Sequence, residues 1–186
     1  MNPVKRTIYT ALFVALIACG AFIAIPIGPV PIVLQNMFVL LAGLILGPVW
    51  GVGCVAVYLF VGFAGLPVFA GGTAGIGKLF GPTGGYLLGY LPAVWATGMI
   101  SKTMKQTRTG DLIALITGSV IVYAVGVPWL KYAFAMSWSK ALAVGMYPFL
   151  IGNVLKIVAA LFIAQKIRPI IEKKPHSGDS HGPSHS

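Results

Sequence analysis

TIYTALFVALIACGAFIAIPIGPVPIVLQNMFVLLAGLILGPVWGVGCVAVYLFVGFAGLPVFAGGTAGIG, residues 7–77, holds no Asp, Glu, Lys, Arg or His. A soluble domain could not cover so long a charge-free stretch with polar surface, so this part of the chain belongs in lipid. The rest agrees: of 186 residues 58% are hydrophobic and 9% charged, and the mean hydropathy is +0.91. That balance is one of membrane proteins.

Runs of about 17 to 25 apolar residues cross a bilayer as helix, with breaks at Gly, Pro and charge. Spans are expected at about Thr7–Ile25, Ile32–Leu46, Val49–Leu66, Gly85–Ile100, Leu112–Leu130 and Met146–Gln165. The fold class is therefore an all-α integral membrane protein, a bundle of six transmembrane helices. A long outer Gly-rich loop, Pro67 to Gly84, joins the third and fourth. Residues 1–170 make one substrate-binding domain, and 171–186 a disordered cytoplasmic tail rich in Ser, Gly and His. His176, His181 and His185 suit an unstructured polar end better than a metal site. The first run has no small-residue cleavage site before the next apolar segment, unlike a removable signal peptide.

The net charge of +10 does not form a nucleic-acid face, because the cations punctuate the apolar runs. With a cytoplasmic N-terminus, that side holds nine cations: Lys5, Arg6, Lys102, Lys105, Arg108, Lys166, Arg168, Lys173 and Lys174. The other side holds three: Lys78, Lys131 and Lys140. This bias places both termini in the cytoplasm. Cys19 and Cys54 lie in apolar runs and read as buried, inert thiols.

The remaining cation, Lys156, falls near the middle of the sixth run, where a charge is costly and normally has a partner. The acids are Asp111 in a cytoplasmic loop and Glu172 and Asp179 near the C-terminus, none of which is placed to reach it. A bound anion would complete it; snorkelling to the interface or a bond to a backbone carbonyl would also account for it. Asn153, three residues earlier, shares its helix face. Gln35 and Asn36 are polar in an apolar run and either tie helices together or line the same outer cavity. Gly72 and Thr73 belong to a loop whose backbone can approach a small ligand. Tyr58, Tyr86, Tyr90 and Trp129 offer apolar walls with a polar tip, or interfacial anchors. Residues 71–78, GGTAGIGK, nearly spell a phosphate-binding loop. Leu79 stands where Ser or Thr is needed for magnesium, and no metal-binding acid follows. Ala11 and Ala15 make a small-xxx-small pair that admits a second helix closely.

The stretches GPVPIVLQ (28–35), YLFVGFAGLPVFAGG (58–72) and GPTGGYLLGY (81–90) resemble the BioY family, the biotin-specific S components of energy-coupling-factor transporters. The resemblance covers about residues 10–165. It implies capture of biotin from outside by a multi-pass protein of a prokaryotic cell membrane. It also implies three partners, a transmembrane coupling protein and two cytoplasmic ATPases, with Ala11 and Ala15 as the docking motif. The family usually carries Asp, two residues, then Lys in the last helix; here Asn153 precedes Lys156, and an amide still accepts from a ureido N–H.

Two other classes fit less well. A self-sufficient secondary transporter for a small anionic nutrient needs an ion-coupling site, yet no expected span holds Asp, Glu or His. An enzyme needs a nucleophile with a base, or a metal, and the same absence argues against both. No cofactor is expected.

Overall fold

A computed structural model describes residues 3–26 and 29–172, with the side chain of Glu172 excepted. Residues 173–186 of the tail, with all three histidines, and Gly28 of the first family-like stretch lie outside the described residues, whereas residues 171 and 172, expected to be disordered, continue the last helix. The chain is helical almost throughout. Helix α1 (Pro3–Phe22) is followed by a two-residue antiparallel ladder of β1 (Ala24–Ile25) and β2 (Ile32–Val33), then by α2 (Gln35–Phe63). After these come α3 (Gly77–Phe80), α4 (Gly84–Thr103), α5 (Arg108–Ala133), α6 (Trp138–Gly145) and α7 (Tyr147–Glu172).

Among the described residues, four stretches are long and apolar enough to cross a membrane: α1, α2, α5 and the unit Trp138–Ile171. Many of their large apolar side chains face outward, Val49 at 75%, Phe60 at 74% and Ile151 at 80% exposure. Such surface is at home in hydrocarbon and not in water. Helix α4, 20 residues long, packs between α2 and α5.

Helix α2 is not one rod. Gly47 adopts φ +79° and ψ −178°, a conformation open to glycine, and Pro48 cannot donate the next helical hydrogen bond. The chain doubles back there. A Cβ built on Gly51 would lie 3.3 Å from the Cα of Gly43, whereas residues eight apart in a straight helix are separated by about 12 Å. The break at Gly47-Pro48 between the expected spans Ile32–Leu46 and Val49–Leu66 is thus present as a tight reversal between two helical halves. Gly98 of α4 closes on it, where a Cβ would stand 2.5 Å from the Pro48 nitrogen. Small residues let these backbones approach without a side chain between them.

Three features of the irregular segments depart from the sequence reading. The segment between the first two expected spans, with Pro26, Pro29 and Pro31, is flanked by the paired strands β1 and β2, the Gly-rich segment contains α3, and the connector with Lys140 contains α6, capped by Ser137. Each is too short for hydropathy to reveal. Two residues also differ from expectation. Cys19 is exposed, while Cys54 is buried as expected. Asp111 is no loop residue: Thr107 caps α5, which places Asp111 in its first turn, fully buried and 2.8 Å from Arg168 of α7. Ser101 donates to the same carboxylate, and Arg168 also reaches the carbonyls of Leu44 and Gln106. One buried ion pair therefore ties together the ends of α4, α5 and α7 and the first half of α2.

Candidate functional site

At the opposite end of the bundle the helices part around a cavity of about 440 Å³, within the usual range for small-molecule sites. Its walls come from four sources: the segment through β2, the start of α2, the Phe69–Thr83 region with α3, and the inner faces of α4, α5 and α7. Tyr86, Tyr90, Tyr123 and Phe149 give it aromatic sides. Lys78 and Lys156 both line it, and among the described lining residues there is no Asp, Glu or His. The space carries positive charge without an internal counter-ion.

Lys156 sits where α7 faces the first turn of α2. Its Nζ donates to the Val33 carbonyl at 2.6 Å and to Asn36 Oδ1 at 3.2 Å. An ammonium has three N–H groups, so one remains for whatever enters. The backbone-carbonyl bond considered for this lysine is present, and it anchors the side chain at the cavity wall rather than at a helix end. Asn36 in turn donates to Asn153 Oδ1 at 3.5 Å, a long contact. Asn153 is buried behind Lys156 and does not line the main cavity.

Gln35 does line it. Its side chain is 1% exposed, and Nε2 has no hydrogen-bond partner among the described residues. A buried amide donor left unpaired is costly, by about 1–3 kcal/mol, and calls for an explanation. An acceptor on a bound molecule supplies one.

Thr73 lines the cavity through a tight turn in which its Oγ1 donates to the Ala70 carbonyl at 3.0 Å. Gly72 stands outside the lining: at φ +72° it packs over Phe22, and neighbouring Gly71 donates to the Ala21 carbonyl. It fixes the loop against the end of α1. Tyr58 is also outside, fully buried, with its hydroxyl donating to the Val68 carbonyl at 2.9 Å and its ring edge-on to Phe69. It holds the loop that carries Phe69, Ala70 and Thr73. Tyr86 contributes its ring to the wall and donates its hydroxyl to the Gly145 carbonyl at 2.8 Å. Trp129 lies behind the wall and donates Nε1 to the Gly81 carbonyl. Gly84 and Gly85 leave room for its ring.

Of the residues singled out from sequence, Lys156, Gln35, Asn36, Thr73, Tyr86 and Tyr90 meet around one cavity, and Asn153, Gly72, Tyr58 and Trp129 support it from behind. Sequence reasoning missed Tyr123 and Phe149, which look like ordinary span residues until α5 and α7 converge. Lys78, read there as an outer-side cation and as part of a failed phosphate loop, also lines the wall. Ala11 and Ala15 do not line this cavity and are exposed on α1.

Comparisons with known proteins point the same way. The model of the BioY family matches residues 1–173. A biotin transporter BioY of Thermotoga maritima is 38% identical over 89% of this chain and 97% of its own length. A probable biotin transporter BioY of Pyrococcus horikoshii is 37% identical over 88% and 96%. A solved S-component for biotin from an ECF-type ABC transporter superposes with a TM-score of 0.85 at 34% identity, covering 91% of this chain and 95% of that one. A bundle with a polar-tipped aromatic cavity at one end, a matching fold and near full-length similarity lead to one assignment: the chain belongs to the BioY family.

Proposed function

We propose that this protein is the biotin-capturing S component of an energy-coupling-factor importer. The observation that carries the reading is the cavity itself: two lysines with no carboxylate among the described lining residues, a Gln35 donor unpaired among the described residues, and aromatic walls. Biotin is a monoanion with a neutral ureido head and an apolar body, and each part finds a counterpart. The free N–H of Lys156 and the Gln35 amide suit the ureido carbonyl, the tyrosines and Phe149 suit the ring and chain, and Lys78 suits the carboxylate. Asn153 acts through Asn36 and Lys156. Tyr58 and Gly72 hold the loop that carries Thr73 over the ligand.

The doubling-back of α2 at Gly47 supports six spans, namely α1, the two halves of α2, α4, α5 and α7. The cation bias supports cytoplasmic termini in a prokaryotic cell membrane, with the cavity opening outward. Energised uptake then requires a coupling protein and two ATPases, and the exposed Ala11 and Ala15 of α1 offer the surface on which a helix of the coupling protein packs.

Calorimetric titration of the detergent-purified protein with biotin, biotin methyl ester and unrelated vitamins tests the reading. Biotin should bind tightly and the ester more weakly, since it removes the charge that Lys78 meets. Binding of another vitamin with no heat from biotin would overturn it.

A further inference from the structure

We propose that the end of the bundle opposite the biotin cavity holds a site for a phosphate-bearing anion, occupied by the headgroup of an anionic glycerophospholipid. A second cavity, of about 460 Å³, opens there around the reversal of α2. Arg6, Lys102 and Arg168 line it, and no acid does among the described lining residues. Asp111 lies behind Arg168 and balances its charge, so Arg6 and Lys102 provide the excess. Arg168 brings a further donor. Its terminal nitrogens are engaged by Asp111 and by the Leu44 and Gln106 carbonyls, but its Nε is buried with no partner among the described residues. The helix resumes at Pro48 on the same wall, and the positive end of a helix reinforces an anion site built from side chains.

The rest of the wall decides for a lipid over a free ion. Leu46, Pro48 and Val49 are apolar, and Val49 is largely exposed on the outer surface. A free phosphate has no use for such a strip, whereas an acyl chain does. Trp50 lines the cavity with the Arg6 guanidinium 5.9 Å from its ring centre, a pairing suited to the headgroup level of a bilayer.

The test is native mass spectrometry of the full-length protein extracted from vesicles of equal parts phosphatidylglycerol and phosphatidylcholine, comparing the parent with Arg6→Gln/Lys102→Gln. Each cation close to an anionic lipid is worth roughly fivefold, so the parent should retain phosphatidylglycerol in preference, and the variant should lose about 30-fold of that preference. Biotin binding by the variant should be unchanged, which shows that it is folded and separates this site from the other. Equal retention of the two lipids by the parent, or an undiminished preference in the variant, overturns the proposal. Millimolar inorganic phosphate that displaces the retained lipid and stabilises the parent alone overturns the lipid assignment. A variant that keeps its lipid but no longer co-purifies with a coupling protein shows a protein interface instead.

Discussion

Replacing Lys156 with methionine removes the group on which most of the proposed biotin site depends. In the structure its ammonium spends two N–H groups on the Val33 carbonyl and Asn36 Oδ1 and has one for the ligand. A hydrogen bond from a charged donor is worth about 1.5–3 kcal/mol. Loss of the Val33 tether also frees β2, which forms part of the wall. Together they weaken binding by about 2 to 5 kcal/mol, which is at least roughly 30-fold in Kd. Methionine fills the same space and carries no charge into lipid, so the variant should keep the thermal unfolding profile of a folded bundle. Calorimetry with biotin reads the loss directly. A Lys156→Met protein that is folded and binds biotin as tightly as the parent would refute the reasoning, and would leave Lys156 as a tether between α7 and β2 alone.

Further outcomes follow from the same geometry. Asn153→Asp should preserve biotin binding in calorimetry, because a carboxylate oxygen can still accept from Asn36, whereas Asn153→Leu should weaken it. Ala11→Trp with Ala15→Trp should leave binding intact and abolish energised uptake and co-purification with a coupling protein, since bulky groups on that exposed face hold two helices apart. Arg168→Met leaves Asp111 buried without its cation and should destabilise the protein by about 3–5 kcal/mol, seen as a lowered unfolding temperature, with partial recovery on adding Asp111→Asn. In intact cells, an impermeant thiol reagent should label a cysteine placed at position 74 and spare one at position 105; the reverse pattern would invert the orientation.

The charge-free stretch from Thr7 to Gly77 determined by itself that the protein lives in a membrane, because no arrangement of neighbours can make that stretch soluble. Lys156 was legible for a similar reason: an ammonium in mid-span needs a partner wherever the other helices lie. The Gly47-Pro48 pair marked a break on its backbone chemistry alone. What it could not give was the angle of that break, set where Gly51 closes on Gly43 and Gly98 closes on the Gly47 and Pro48 backbone. Tertiary structure also decided how the tyrosines divide. Tyr58 and Tyr86 are alike in sequence, yet one is buried against Val68 and Phe69 while the other faces the cavity. Asp111 read as a loop acid because its partner Arg168 lies 57 residues away in the chain, and no local pattern records a pair that distant. Composition fixes the solvent that each segment must meet, since transfer energy belongs to the residue. Which side chains share a cavity depends on where helices cross, and that is settled by contacts between residues remote in sequence.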